Sequence, residues 1–93
     1  MSASDVFLKA FLALPMGTFH GRASGKRFIV SRSVFANGKS HKLVAHQLDG
    51  TDYISLNLYL TRAGGALLRP CEMPAVKVVD FVRNLTVQMP PKN

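Results

Sequence analysis

The run Asp52-Tyr53-Ile54-Ser55-Leu56-Asn57-Leu58-Tyr59-Leu60-Thr61 limits what this chain can fold into more than any other stretch. Ile54, Leu56, Leu58 and Leu60 take its even positions, with Tyr53, Ser55, Asn57 and Tyr59 on the odd positions between them. Side chains in a strand alternate between faces, so the run predicts a β-strand with one aliphatic and one polar-aromatic face. Full burial of its aliphatic side chains contributes about 6–12 kcal/mol gross, at about 1.5–3 kcal/mol for each. Ordering the backbone costs a similar amount, at about 1–2 kcal/mol per residue. The strand therefore needs a sheet around it and a cover over its aliphatic side. What is left is a wet face bearing both tyrosines of the chain.

The 93 residues suffice for one modest core and no more. A single domain over residues 1–88 is expected, followed by a disordered tail, Met89-Pro90-Pro91-Lys92-Asn93. Twelve Lys and Arg against five Asp and Glu give a net charge of +7, and the excess is unevenly spread. No acid stands between Asp5 and Asp49, while Lys9, Arg22, Lys26, Arg27, Arg32, Lys39 and Lys42 all fall in that interval. An uncompensated run of this kind favours polyanions, although solubility alone would also account for it. The single cysteine, Cys71, excludes an internal disulfide and any zinc site built on paired cysteines. The apolar start, Val6 to Met16, is preceded by Asp5 and interrupted by Lys9, unlike a signal peptide, and is too short to cross a bilayer. A cytoplasmic protein with no membrane association is expected.

Phe7, Ala10, Phe11 and Leu14 recur at helical spacing behind the N-cap candidates Ser2 and Ser4, and Pro15 stops that helix. Val6, Leu8 and Leu12 are apolar as well, so this helix needs cover on more than one side, from the sheet plus another helix or from a second subunit. Turn signals follow at Ser24-Gly25, Asn37-Gly38, Asp49-Gly50 and Ala63-Gly64-Gly65. Asn37-Gly38 is the firmest, because both central residues of a type I′ turn need positive φ. Strands are predicted over Thr18 to Ala23, Lys26 to Phe35, Ser40 to Leu48, Asp52 to Thr61 and Ala66 to Arg69, joined by connections too short for parallel crossovers. In the second strand Phe28, Val30, Arg32 and Val34 oppose Arg27, Ile29, Ser31, Ser33 and Phe35. Apolar residues on both of its faces point to partial cover on both sides, a bulge or strong curvature. The third strand is similarly ambiguous. From Pro74 to about Leu85 the stripe Ala75, Val78, Val79, Val82 and Leu85 predicts an amphipathic helix, leaving Val76 and Phe81 for a dimer contact. The class is α+β: an antiparallel meander of four to five strands flanked by an N-terminal and a C-terminal helix.

Most chemical motifs fail on inspection. Gly21 to Arg27 has one residue too few between its glycines for a phosphate loop, and Gly38-Lys39-Ser40 lacks the first glycine because Ser33 stands there. His41 and His46 are five apart, on opposite faces of a strand, so no zinc pair forms, and no metal or other cofactor is expected. Cys71 precedes a helix start, where a thiolate is favoured, but none of His20, His41 and His46 is spaced to serve as its base. Glu72 has no nearby carboxylate to complement it and reads as a helix cap. No enzyme is expected. Aromatic rings on an open sheet beside cations are, by contrast, a recurrent means of holding single strands, since any base can stack while lysine and arginine follow the phosphates.

The stretch from Lys26 to Leu85 resembles the single-stranded-DNA-binding domain of the positive-cofactor-four transcriptional coactivators. The likeness lies in the strands joined by Asn37-Gly38 and Asp49-Gly50, then Gly64-Gly65-Ala66-Leu67-Leu68 leading into an amphipathic helix. That resemblance implies a curved four-stranded sheet, a helix-mediated dimer and nucleic acid on the strands. The chain departs from the family in having no Trp and an extra N-terminal helix and strand.

Two functions follow as expectations. The first is binding of single-stranded nucleic acid without strong sequence preference. Tyr53 and Tyr59, with Phe28 or Phe35 as further candidates, would stack on bases. Arg22, Lys26, Arg27, Arg32, Lys39 and Lys42 would neutralise phosphates. The second is a homodimeric interaction module, joined through the first helix with Val76 and Phe81, that ignores nucleic acid.

Overall fold

A computed structural model describes residues 1–88; the tail expected from Met89 onward lies outside the described residues. The chain runs α1 (Asp5–Leu12), β1 (Gly17–Ala23), β2 (Lys26–Phe35), β3 (Ser40–Gln47), β4 (Tyr53–Leu60), β5 (Ala66–Pro70), α2 (Ala75–Asn84) and β6 (Thr86–Gln88), with one short 3-10 turn over Ala36–Gly38. It is an α+β fold around an antiparallel sheet. The predicted meander supplies β1 to β5, and the sheet order β5-β4-β3-β2-β1-β6 adds a sixth strand, one more than the periodicity indicated. β6 has only three residues, too few for alternation to register. It forms because α2 delivers the chain to the free edge of β1, where Val87 pairs with Gly21. Gly21 is needed there: a Cβ would meet Leu85 Cδ1 at 2.6 Å and the Thr86 carbonyl at 3.2 Å. The opposite edge is covered as well, with Ala3 N–H donating to the Ala66 carbonyl and Leu68 N–H to that of Met1, both at 2.8 Å.

Turn chemistry sets the registers. Ser24 and Gly25 have φ of 51° and 76°, closing β1 onto β2 with Ala23 opposite Lys26. Asn37 and Gly38, at φ 57° and 88°, are the central residues of the expected turn, and Lys39 N–H donates to the Ala36 carbonyl across it. The β2–β3 ladder stops one residue earlier on each side, at Phe35 and Ser40. Pairing from Phe28 to Phe35 runs without a bulge, so a bulge does not account for the mixed faces of β2.

The partial cover expected on both sides of β2 is not found either: Phe28, Val30 and Arg32 are buried, whereas on the other face Ile29 is half-buried and Phe35 is 54% exposed. Both helices lie on the same face of the sheet and against each other. Beneath them Phe28, Val30, Leu43, Ala45, Ile54, Leu56, Leu58 and Leu68 form the floor, and Phe7, Phe11, Val78, Phe81 and Val82 the roof. Ser4 caps α1, its hydroxyl accepting from Phe7 N–H at 3.2 Å, and α1 ends at Leu12, short of Pro15. The cover expected for α1 comes from the sheet and α2, with Val6 and Leu12 left in solvent. Pro74 takes the N-cap position of α2, where no side chain caps the helix, so Glu72 does not have the capping role expected of it.

Phe81 is the second correction. It was expected at a dimer contact, but it is 6% exposed and meets Phe28 edge-on at 4.9 Å between ring centroids. Phe81 thus joins Val78 and Val82 on the buried side of α2, whereas Val76 remains 64% exposed. Phe81→Ala is therefore expected to lower the unfolding free energy by about 3–5 kcal/mol. Val76→Ala should change it by less than about 0.5 kcal/mol. Urea titrations followed by circular dichroism distinguish the two.

Candidate nucleic-acid interface

Among the described residues, no helix lies on the other face of the sheet. Strand pairing arranges its side chains in rows that run across the strands. Arg22 stands opposite Arg27; His20, Ile29, His46 and Tyr53 form the next row; Thr18, Ser31, Val44 and Ser55 the one after. Ser33, Lys42, Asn57 and Arg69 then line up, and beside them Phe35, Ser40, Tyr59 and Leu67. No strand position on this face is an Asp or Glu. Asp49, on the β3–β4 turn, is paired with Arg27. Arg22 and Arg27 are like charges directly opposite each other, an arrangement that costs stability in a sheet unless an anion sits by it.

Of the residues singled out in the sequence, Arg22, Arg27, Lys42, Tyr53 and Tyr59 share this face, with Tyr53 38% and Tyr59 37% exposed. Phe35 joins them at 54%, and Lys39 sits on the adjoining turn. Phe28 does not, being buried under α2. Lys26 lies on the helix side, opposite Ala23, where it pairs with Asp52 at 3.5 Å. It is removed from the uncovered face.

Arg32 is the main correction, for it is a core residue and not a phosphate contact, with 6% of its surface exposed. It shares the inward face of β2 with Phe28 and Val30, and α1 closes over it. Its guanidinium donates to the carbonyls of Leu12 and Leu14 at the end of α1 and lies 4.9 Å from the Phe11 ring centroid. A cation at a helix C-terminus complements the unsatisfied carbonyls and the dipole there. His41, also buried, accepts from Arg32 through Nδ1 at 3.4 Å, and its Nε2–H donates to the Gly38 carbonyl at 3.1 Å. Only the neutral ring with its proton on Nε2 makes both bonds. Burial, and then the neighbouring guanidinium, push the His41 pKa below its ordinary value, while the bond to Gly38 works the other way.

At the far end of the sheet a cleft of about 220 Å3 opens between α2 and the β1–β2 hairpin. Its floor includes Ala23, Phe28, Ile54 and Phe81, and its mouth Lys26, Asp52, Lys77 and Asp80. Lys77 meets Asp52 at 2.8 Å and holds the Asp52 carboxyl below its usual range. The same ammonium lies 5.7 Å from the centroid of the Tyr53 ring, which also stacks beside His46. Cys71 is half-buried, and its Sγ accepts from Asn57 Nδ2 at 3.5 Å. No group of three or more His, Cys, Asp or Glu suited to a metal ion occurs among the described residues, and no described helix is long and apolar enough to cross a membrane.

Sequence reasoning overlooked Arg69 and Lys77. The signal for Arg69 was present, since inward Ala66 and Leu68 force residue 69 outward beside Asn57. Nothing local announced Lys77, whose reach to Tyr53 depends on the angle of α2 over the sheet. Compared with protein-family models, with curated proteins and with solved structures, the chain matches none.

The Arg32–His41 contact makes stability depend on pH. An unfolded histidine titrates near 6.5, and the folded ring binds its proton less readily. The unfolded state therefore holds more protons below that point, and stability rises with pH through this range. Stability should be greatest above about pH 6.5 and fall as pH drops through the folded-state pKa. Thermal melts across this range should show a decline that His41→Gln flattens.

Proposed function

We propose that this protein binds single-stranded nucleic acid, with little preference for sequence, on the helix-free face of its sheet. One observation carries the reading: that face holds Arg22, Arg27, Lys42 and Arg69 together with the rings of Phe35, Tyr53 and Tyr59, and no carboxylate at any strand position. Exposed rings give bases of any identity a surface to stack on, and the cations attract the phosphates between them. A second copy of the chain is a poor occupant for this face, because it would bring like charges together. The resemblance to the positive-cofactor-four coactivators points the same way through the order of its elements. The face has neither a nucleophile with its base nor a paired acid and base, and a binding role without catalysis fits it best.

If the four cations each neutralise one phosphate of an oligothymidylate long enough to cross the face, log affinity falls with log salt at a slope of about −3 (about −0.7 per phosphate). Fluorescence anisotropy at several salt concentrations measures that slope. A flat response removes the proposal.

Homodimerisation through the helical layer is the second reading, favoured by the exposure of Val6 (60%) and Val76 (64%). Sedimentation equilibrium over a wide concentration range should then show a monomer–dimer transition that Val6→Asp with Val76→Asp abolishes. Phe11 is unsuited to this test, since it is fully buried within its own chain.

A further inference from the structure

The open face is not uniform, and its two rows nearest the β2–β3 turn are in step with each other. In the outer row Phe35 on β2 and Tyr59 on β4 are separated by Ser40, with Leu67 on β5 beyond. In the next row Lys42 on β3 and Arg69 on β5 are separated by Asn57. Each pair is thus two strands apart, about 10 Å at about 4.8 Å per strand. The rows themselves lie two residues apart along the strands, about 7 Å at about 3.4 Å per residue. A row of exposed rings therefore runs parallel to a row of cations with the same repeat and half a repeat out of phase.

A polynucleotide has this pattern: bases along one side, phosphates along the other, joined through the sugars. We infer that a single strand crosses β2 to β5 at right angles to the strands, its bases on Phe35 and Tyr59 and its phosphates over Lys42 and Arg69. The inference rests on the nucleic-acid reading and adds the path and the contacts. The remaining ring, Tyr53, lies three rows away on the same strand, about 20 Å at about 3.4 Å per residue, already in contact with His46 and Lys77. It stands outside this path, as do Arg22 and Arg27. An acidic peptide would meet the two cations but would have no planar groups to lay on the rings.

The test uses the tetranucleotide dT4, short enough to occupy only this track, with a longer oligothymidylate as reference. The chain has two tyrosines and no tryptophan, so its intrinsic fluorescence reports on the tyrosines one at a time. In Tyr53→Phe, dT4 should quench the emission of Tyr59, whereas in Tyr59→Phe it should leave Tyr53 unchanged. Phe35→Ala should weaken dT4 binding roughly 5- to 150-fold, the range for loss of one stacked base. Lys42→Gln and Arg69→Gln should each flatten its salt slope by about 0.7. The expected result is this set together with unchanged dT4 binding by Arg83→Gln, an exposed residue of α2 in the helical layer, and with polyglutamate failing to displace dT4. If the longer strand binds but dT4 quenches Tyr53 and not Tyr59, or Phe35→Ala binds dT4 as the parent does, or polyglutamate displaces dT4, the path is wrong while the nucleic-acid reading stands. If neither oligonucleotide binds, both fall.

Discussion

Everything in this structure depends on the helices covering one side of the sheet and leaving the other open. A six-stranded antiparallel sheet has two faces to account for. Here α1 and α2 lie side by side over the face that carries Val30, Leu43, Ala45, Ile54, Leu56, Leu58 and Leu68, and the core is the single layer between. Both connections that place the helices are short, and neither helix could reach the opposite face without abandoning the pairing at the sheet edges. With all the cover spent on one side, the other must be compatible with water, and its alternating polar, cationic and aromatic positions satisfy that condition.

The buried guanidinium of Arg32 follows from the same arrangement. α1 is short and its end lies over Arg32 of β2, which its carbonyls face, that of Leu14 buried and that of Leu12 partly so. Leu12 and Leu14 carbonyls find their donor in Arg32, and Phe11 supplies the aromatic surface beside it. Arg32 Nε is buried without a hydrogen-bond partner among the described residues. Replacing one member of such a cluster leaves the others desolvated and unpaired, which costs more than the contact itself contributes. A charge that adds to the basic character of the chain thus serves the fold and is lost to the surface.

Charge on the uncovered face has a different physical meaning. Arg22 beside Arg27, and Lys42 within reach of Arg69 across Asn57, are held near one another by backbone pairing alone. The ladder fixes their spacing whatever their mutual repulsion, and that repulsion is relieved most simply by an anion. Lys26 and Lys77, by contrast, share the carboxylate of Asp52 at the mouth of the cleft. These cations are therefore divided among an uncovered face, on which Arg27 is paired with Asp49 while Arg22, Lys42 and Arg69 have no ion pair among the described residues, a cluster around Asp52 and one buried residue, Arg32.

The sequence by itself determined the elements. Strict alternation in residues 53–60, the left-handed pairs Ser24-Gly25 and Asn37-Gly38, and the helical stripes around Phe7 and Val78 are local properties of the backbone, and they marked β1 to β5, both helices and the wet tyrosine face. Tertiary structure alone decided which of two chemically similar residues would stand on the uncovered face. Arg32 and Lys42 are equally basic and both lie on strands. The difference is that residue 32 falls on the side over which α1 closes and residue 42 on the side it leaves bare. Likewise Phe28 packs under α2 while Phe35 stands in water, and Phe81 turns inward against Phe28. Alternation says that two residues lie on opposite faces. It does not say which face is covered, because that depends on where distant segments of chain come to rest.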